Sequence, residues 1–182
     1  VVNDELIIFA EAAGEAQLLI DGQTIVHVKV TASIDSNNNQ VLNVVPTIAD
    51  TEISNATELI SSDNSIVRAP STGNKLFALA EGTTNVTATT ANGTVHYTTV
   101  VTKQNNQLIT DVTAVRSSLE IDDETKVTDL NNAIARIEGN YVYAVGEGTD
   151  DFTYEGKTYR VTVSQNSNSK LYSLEIQEIT QN

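Results

Sequence analysis

An all-β fold is predicted by three features of this sequence. Thr, Val and Ile are abundant, and their β-branched side chains fit the pleated surface of a sheet. Short segments in which apolar and polar residues alternate recur along the chain. Stretches rich in Asn, Ser and Gly separate these segments and supply turns. The 182 residues are enough for one large domain or two small ones.

The clearest strand in the first half covers residues 24–30. Val26, Val28 and Val30 share one face of it, and His27 lies on the other face, where it is expected to be an ordinary surface histidine. Further strands are predicted at 41–45, closed by Pro46, and at 76–79. A hairpin is predicted where Asn92-Gly93 stands between β-branched runs. Its strands are 85–90 and 95–102.

The second half repeats this pattern. A strand at 141–145 is followed by a predicted hairpin with strands 151–154 and 158–163 around Gly156. Residues 171–179 alternate again, with Leu174 and Ile176 on one face. Between them, residues 119–137 leave two alternatives open. An acidic start followed by apolar residues at spacings of three and four allows a short helix, whereas a loop with short strands is the favoured reading.

The two halves also align with each other. Residues 75–83 lie over 141–149 at a shift of 66, and residues 66–68 lie over 134–136 at a shift of 68. Each copy then runs into a hairpin and a β-rich strand. Self-similarity of this kind indicates a repeated structural unit. Gly82 and Gly148 occupy the same place in the two copies, and we expect both to be structural turns with positive φ.

The aligned segments resemble the bacterial immunoglobulin-like group 2 domain. The resemblance is carried by an apolar strand, the turn Glu81-Gly82-Thr83 or Glu147-Gly148-Thr149, and the Thr- and Val-rich strands that follow. It implies tandem immunoglobulin-like β-sandwiches, with one module at 1–103, which includes an N-terminal extension and opening strands from residue 17. A shorter module at 108–182 ends in a C-terminal strand and lacks an opening hairpin. The polar run 104–107 is the predicted linker.

One departure from the family pattern concerns the core. The family often carries Trp before a Ser-Ser pair, and here Ile60 precedes Ser61-Ser62. We therefore expect Ile60 to fill that position in the core. The incomplete second module suggests in addition that a terminal segment, 2–9 or 171–179, pairs with a sheet of its own chain or of a neighbouring copy.

Charge and composition exclude several classes of partner. The formal net charge is -14 with only 10 Lys and Arg, which argues against binding to nucleic acid or to anionic membranes. The chain has no Cys, so disulfides and thiolate metal sites are excluded. It contains no apolar run of the length that spans a membrane as a helix.

No residue is assigned a catalytic, cofactor-binding or metal-binding role. His96 begins a strand and is expected, like His27, to be a surface or edge histidine. The run 35–39 (Asp-Ser-Asn-Asn-Asn) resembles part of a calcium loop, but it lacks the usual Gly and distant Glu, so a turn is the favoured alternative. The acidic groups at 122–124 and 150–151 are weaker candidates for a metal site.

The sequence leaves open whether the chain is glycosylated and whether its tyrosines bind carbohydrate. Asn55, Asn85 and Asn92 begin glycosylation sequons. Four tyrosines cluster in the second module, where they are expected mainly as half-buried strand residues, with a carbohydrate-binding face as the alternative. They are Tyr141, Tyr143, Tyr154 and Tyr159.

The resemblance and the absence of an assigned site together define the functional expectation. We expect a non-enzymatic structural or adhesive module of an extracellular assembly, located at a cell surface or in a virion. It needs no cofactor. Its expected partners are other proteins, including copies of itself by strand addition, and a surface glycan is the alternative ligand of a carbohydrate-binding accessory module.

Overall fold

The computed structural model describes residues 8–20, 24–48, 50–70, 72–105 and 107–179. Within these ranges every regular element is a β-strand except one 3₁₀ turn at Glu124–Lys126. The predicted all-β fold class is therefore confirmed. Asp123 begins the 3₁₀ turn, and its carboxylate accepts a hydrogen bond from the backbone N–H of Thr125, as expected for a capping residue.

The strands of the described residues are numbered in chain order. Their bounds are β1 Gly14–Ile20, β2 Thr24–Ile34, β3 Gln40–Thr47, β4 Asp50–Glu52, β5 Ala56–Ser61, β6 Val67–Arg68, β7 Lys75–Ala78, β8 Gly82–Thr90, β9 Gly93–Gln104, β10 Gln107–Ala114, β11 Arg116–Glu120, β12 Val127–Thr128, β13 Ala135–Glu138, β14 Tyr141–Ala144, β15 Gly148–Tyr154, β16 Lys157–Gln165 and β17 Tyr172–Ile179.

The chain divides into two compact units, Val1–Ala49 and Asp50–Asn182. The described part of the first unit is an antiparallel sheet in the order β1-β2-β3. Pro46 does not close β3 as predicted but lies inside it, opposite Val28. An edge strand tolerates Pro, because one row of its backbone groups has no partner in the sheet.

The second unit contains the same arrangement of seven strands twice. In repeat 1, which comprises β4–β10, a four-stranded sheet has the order β10-β9-β8-β5 and a three-stranded sheet has the order β4-β7-β6. In repeat 2, which comprises β11–β17, the orders are β17-β16-β15-β12 and β11-β14-β13. Each strand of repeat 1 has a counterpart seven strands later, so the internal repeat predicted from the sequence is present in the strand order.

The structure corrects the expected anatomy of the repeat. The polar run 104–107 does not link two modules but connects β9 to β10, which pair with each other from Gln104 opposite Gln107 onwards. Repeat 2 is not truncated, because it has every strand that repeat 1 has. The strands expected to open the first module are β1 and β2, which lie in the first compact unit.

The core of repeat 2 contains residues from both of its sheets. Phe152 and Val161 belong to the four-stranded sheet, Val142 and Ala144 belong to the three-stranded sheet, and all four are completely buried in one cluster. Leu174 and Ile176 pack against this cluster from the same face of β17, as their alternation predicted. The two sheets of repeat 2 therefore form two layers around a shared core.

The hairpins predicted from local sequence are confirmed. β8 and β9 pair antiparallel across the two-residue loop Ala91-Asn92, and β15 and β16 pair across Glu155-Gly156. In the segment 171–179, residues 172–179 pair with β16 of the same chain. At the other terminus, residues 1–7 lie outside the described residues, and residues 8–9 are not in a strand.

The expectations for residues 119–137 and for Ile60 differ in outcome. The segment 119–137 contains short strands and the 3₁₀ turn, so the favoured reading without a helix of several turns is confirmed. The expectation for Ile60 is wrong. Its side chain is 57% exposed, whereas its neighbour Leu59 is buried, because successive residues of β5 point to opposite faces of the sheet.

Gly82 and Gly148 occupy equivalent turns, as predicted. Their φ angles are +153° and +152°, a region that L-residues with a side chain rarely adopt. A Cβ at Gly82 would lie 2.7 Å from Cδ1 of Ile66, and a Cβ at Gly148 would lie 2.9 Å from Cδ1 of Ile134. The carbonyls of the same two isoleucines accept backbone hydrogen bonds from the turn that follows β7 or β14. The same contact between a glycine and an isoleucine is therefore present at this turn in both repeats.

We expect Gly82→Val and Gly148→Val each to lower the free energy of unfolding by on the order of 1–3 kcal/mol, because the substitution adds backbone strain and a clash with isoleucine. Urea denaturation of each variant measures this loss. Gly14→Val is the matched control, since Gly14 opens β1 and a Cβ there would meet no atom within 4 Å. Equal midpoints for all three variants would show that the two turns do not require glycine.

Candidate functional site

Polar contacts join repeats 1 and 2 at the point where the chain passes from one to the other. Val115 alone separates β10 from β11. Its N–H donates to the carbonyl of His96 in repeat 1 at 2.8 Å, and its carbonyl accepts from the N–H of Ala144 in repeat 2 at 3.0 Å. Both backbone groups of the connecting residue are therefore fixed, one to each repeat. We call this region the joint.

His96 lies at the centre of the joint and is not a surface histidine as predicted. It is 4% exposed, and its ring stacks on Tyr172 of repeat 2 with centroids 3.7 Å apart and planes 8° apart. Its Nε2 lies 2.9 Å from the carbonyl oxygen of Val145. Because that oxygen can only accept, Nε2 carries the hydrogen and donates.

The second ring nitrogen of His96 completes a chain of hydrogen bonds. Its Nδ1 lies 3.1 Å from the hydroxyl of Thr87, and that hydroxyl also lies 3.2 Å from Nδ2 of Asn85. The Asn85 amide donates to the Thr87 oxygen, and the Thr87 hydroxyl donates to Nδ1. The neutral Nε2–H tautomer therefore matches every partner, whereas a protonated imidazole would require Thr87 to stop donating.

A second group of polar contacts lies at the tip of the β8–β9 hairpin. The amide of Asn92 in repeat 1 donates to Oε1 of Glu138 in repeat 2 at 3.1 Å. Oε2 of the same carboxylate accepts from Nη2 of Arg136 at 2.8 Å, and Arg136 is itself buried. The hydrogen bond from Arg136 is the main cause that lowers the pKa of Glu138 below its usual value. Glu138 therefore holds the hairpin tip as an ionised carboxylate.

The joint should respond to mild acid. Burial is the main cause that lowers the pKa of His96 below the usual value of 6.5, and the hydrogen bond to Val145 opposes this effect more weakly. The unfolded chain then takes up a proton at higher pH than the folded chain does. The contribution of neutral His96 to stability is therefore fully present above pH of about 6.5 and is lost as the pH falls from there through the lowered pKa.

We accordingly expect the urea midpoint to fall as the pH is lowered below about 6.5. The pKa of Glu138 lies below the usual value of 4.5, so its effect on stability belongs to a more acidic range. His96→Asn keeps His27 and should remove the part of this pH dependence that comes from His96, so its midpoint should fall less than that of the wild type. If the pH dependence of the variant matches that of the wild type, His96 is not its source.

The other candidate residues are engaged in local structure. Asp35 accepts from the backbone N–H groups of Asn37 and Asn39, which forms the turn favoured from the sequence. Asp151 binds Arg160 with both carboxylate oxygens, and Asp150 accepts from the N–H of Asn131. Within the described residues no group of three or more His, Asp or Glu side chains is arranged to hold a metal ion.

The four tyrosines do not share one face. Tyr154 is buried in the core of repeat 2, where its hydroxyl donates to Asp122, and Tyr159 packs on Phe152. Tyr141 and Tyr143 lie at alternate positions of β14, and the guanidinium of Arg116 covers the Tyr141 ring at 3.6 Å from its centroid. These two pairs therefore do not form a common stacking platform.

The three sequons differ in access. Asn55 and Asn92 are exposed, although the side chain of Asn92 is bonded to Glu138 in the joint. Asn85 is 3% exposed and bonded to Thr87. A glycan on Asn85 would therefore be incompatible with the folded repeat.

An open groove of about 420 Å³ runs between two edge strands of repeat 2. Ser117, Ser118 and Leu119 of β11 line one side, and residues 174–177 of β17 line the other. Each of these strands pairs with a single neighbour within the described sheets, so each leaves one row of backbone groups outside its sheet. A groove of this kind is suited to an added strand.

Few local sequence signals could predict the joint, because its residues come from segments far apart in the chain. The described residues include no helix that is long and apolar enough to cross a membrane.

Comparisons with protein-family models, with curated proteins and with solved structures find no match to this chain.

Proposed function

We propose that this protein is a non-enzymatic structural or adhesive module of an extracellular assembly, such as a cell-surface protein, a surface filament subunit or a phage virion accessory protein. The observation that supports this proposal is the joint. Val115 is bonded to both repeats, and His96 of repeat 1 is buried against Tyr172 and Val145 of repeat 2. Repeats fixed to each other in this way keep a constant spacing and orientation, which a load-bearing or display module requires.

The proposed architecture is a variant of the immunoglobulin-like sandwich. Seven strands in sheets of four and three support it, and so does the core shared by the two sheets of repeat 2. The strand order differs from that of a constant-type immunoglobulin domain. In each repeat the second, fifth, sixth and seventh strands form one sheet, and the first, fourth and third form the other. Strand number and layering thus support an immunoglobulin-like sandwich, while the strand order is that of a variant.

The location and assembly of the protein can be tested directly. Antibody raised against the chain should label the outside of intact producing cells or purified virions, and electron micrographs of the labelled structures should show which. Protease added to intact cells should remove the cell-surface signal while a cytoplasmic control protein survives. Label found only after the cells are opened would overturn the extracellular assignment.

Self-association by strand addition is the partner interaction that the groove of repeat 2 supports. Arginine at an exposed groove position, Ser118→Arg or Gln177→Arg, should block an incoming strand and lower the association constant at least about tenfold, which corresponds to about 1.4 kcal/mol. Sedimentation equilibrium measures this constant. Asn168→Arg, in an exposed turn outside the groove, makes the same change in charge. A wild-type chain that stays monomeric, or equal effects of all three variants, would rule out the groove as a self-association site.

A further inference from the structure

The three strands of the first unit, β1-β2-β3, resemble the last three strands of each repeat, β8-β9-β10 and β15-β16-β17. Gly14, which opens β1, is preceded by Phe9-Ala10. The dipeptides Phe77-Ala78 and Tyr143-Ala144 stand at the same spacing before Gly82 and Gly148, which open β8 and β15.

Strand pairing extends this correspondence through all three strands. Gly14 pairs with Val30, which pairs with Val44, just as Gly148 pairs with Val163, which pairs with Leu174. β1 and β15 also have the same length of seven residues. The sheet β1-β2-β3 thus corresponds to β15-β16-β17, and by the same pairings to β8-β9-β10.

We propose that residues 9–48 are the second half of a further repeat, and that their uncovered apolar surface binds the first half of that repeat, a segment with the strand content of β4–β7 that precedes Phe9 in the same polypeptide.

The described residues show where contacts are missing. Phe9 is 84% exposed, whereas its counterpart Phe77 is 3% exposed, because Phe77 lies in β7 between β4 and β6. A Cβ at Gly14 would meet nothing within 4 Å, whereas the counterpart at Gly82 would clash with Ile66. Phe9 and Gly14 therefore lack the contacts that strands of the three-stranded sheet and the residue before β6 supply in repeat 1.

The apolar face of β1 shows the same difference. Leu18 and Ile20 are half-buried, and their counterparts Phe152 and Tyr154 in repeat 2 are buried. On the central strand Val26 and Val28 are buried already. The surface that remains for a partner therefore consists of Phe9 and the side chains of β1, next to the position that β5 or β12 occupies in a complete repeat.

The nature of the occupant follows from repeats 1 and 2. In each, the strand beside the counterpart of β1 comes from earlier in the same repeat, and so does the sheet that contains the counterpart of Phe9. The connection from that sheet to β8 or β15 is only a few residues long, which matches residues 11–13 between Phe9-Ala10 and Gly14. A covalently preceding segment satisfies this short connection.

A graft within the full chain tests the proposal. Residues 50–76 are placed directly before Phe9 in place of residues 1–8, which reproduces the spacing of repeat 1 without adding a linker. Amide hydrogen exchange in β1 is the readout, and exchange in β15 serves as an internal reference. We expect exchange in β1 to slow at least about tenfold in the grafted chain relative to the unmodified chain.

Three further substitutions distinguish a specifically completed repeat from an apolar surface that the graft merely covers. Gly14→Val should leave exchange in β1 of the unmodified chain unchanged, but it should reverse the gain in the grafted chain, where the counterpart of Ile66 is now present. In the unmodified chain Phe77→Ser should lower the urea midpoint, whereas Phe9→Ser should not.

Three outcomes would overturn the proposal. The first is equal exchange in β1 with and without the graft. The second is a loss of stability from Phe9→Ser as large as that from Phe77→Ser, which would show that Phe9 is already covered. The third is concentration-dependent dimerisation of the unmodified chain that Phe9→Ser abolishes, since it would identify a second copy as the occupant.

Discussion

Phe152→Ala is expected to lower the free energy of unfolding of repeat 2 by about 3–5 kcal/mol. Phe152 is completely buried in the cluster that joins the two sheets, and its ring stacks on Tyr159 with centroids 5.5 Å apart. Truncation removes the apolar contacts of a large side chain and leaves a cavity that neighbours on two sheets fill only in part. Urea denaturation monitored by circular dichroism gives the change directly.

Ile60→Ala is the control for this measurement, and it also tests the correction made for that residue. Ile60 is 57% exposed on the outer face of β5, so its truncation should change stability by no more than about 0.5 kcal/mol. If Ile60→Ala and Phe152→Ala had equal effects, the face of β5 that points into the core would be wrongly assigned. A loss below about 1 kcal/mol for Phe152→Ala would contradict a shared core in repeat 2.

Local sequence was sufficient to predict most of the strands of repeat 2 and both hairpins. The Asn92-Gly93 and Glu155-Gly156 turns are marked by the residues at the turn itself, and alternation in 171–179 correctly placed Leu174 and Ile176 on one face. The repeated Ile–Gly contact could also be anticipated, since the aligned copies preserve Gly82 and Gly148 together with Ile66 and Ile134.

Grouping the strands into repeats was beyond local sequence. The run 104–107 has the polar composition of a linker, but a hairpin turn has the same composition, and only the pairing of β9 with β10 distinguishes them. Val115, the actual connection, is one apolar residue between two strands and carries no signal of a boundary. Pairing partners are set by contacts between distant segments, which alternation along one strand does not reveal.

The same limit explains why His96 was misjudged. In β9 successive side chains point to opposite faces, so His96 lies on the face opposite Val95 and Tyr97, and that face of a two-layered repeat is normally exposed to solvent. In this chain the face is covered by Val145 and Tyr172 of the following repeat. Whether a histidine on an outer face is exposed or buried therefore depends on the position of the neighbouring repeat, which local sequence does not reveal.

His96→Val is expected to weaken the contact between the two repeats strongly. The carbonyl of half-buried Val145 would lose its hydrogen bond, which costs about 1–3 kcal/mol where no water replaces the donor. The stacked contact with Tyr172 contributes about 0.5–1.5 kcal/mol more. Because these contacts link the two repeats, their loss should reduce the cooperativity of unfolding as well as its midpoint.

Hydrogen exchange at two amides reports on the joint itself. The N–H groups of Val115 and Ala144 form the backbone bonds on either side of the connection, so both should exchange faster in His96→Val. Thr158→Val is the matched control, because Thr158 pairs with Thr153 in repeat 2 as His96 pairs with Thr87 in repeat 1. Thr158→Val should leave both amides unchanged. If His96→Val also left them unchanged and kept a single unfolding transition, the repeats would not be held together by His96, and the main support for a stiff structural module would be lost.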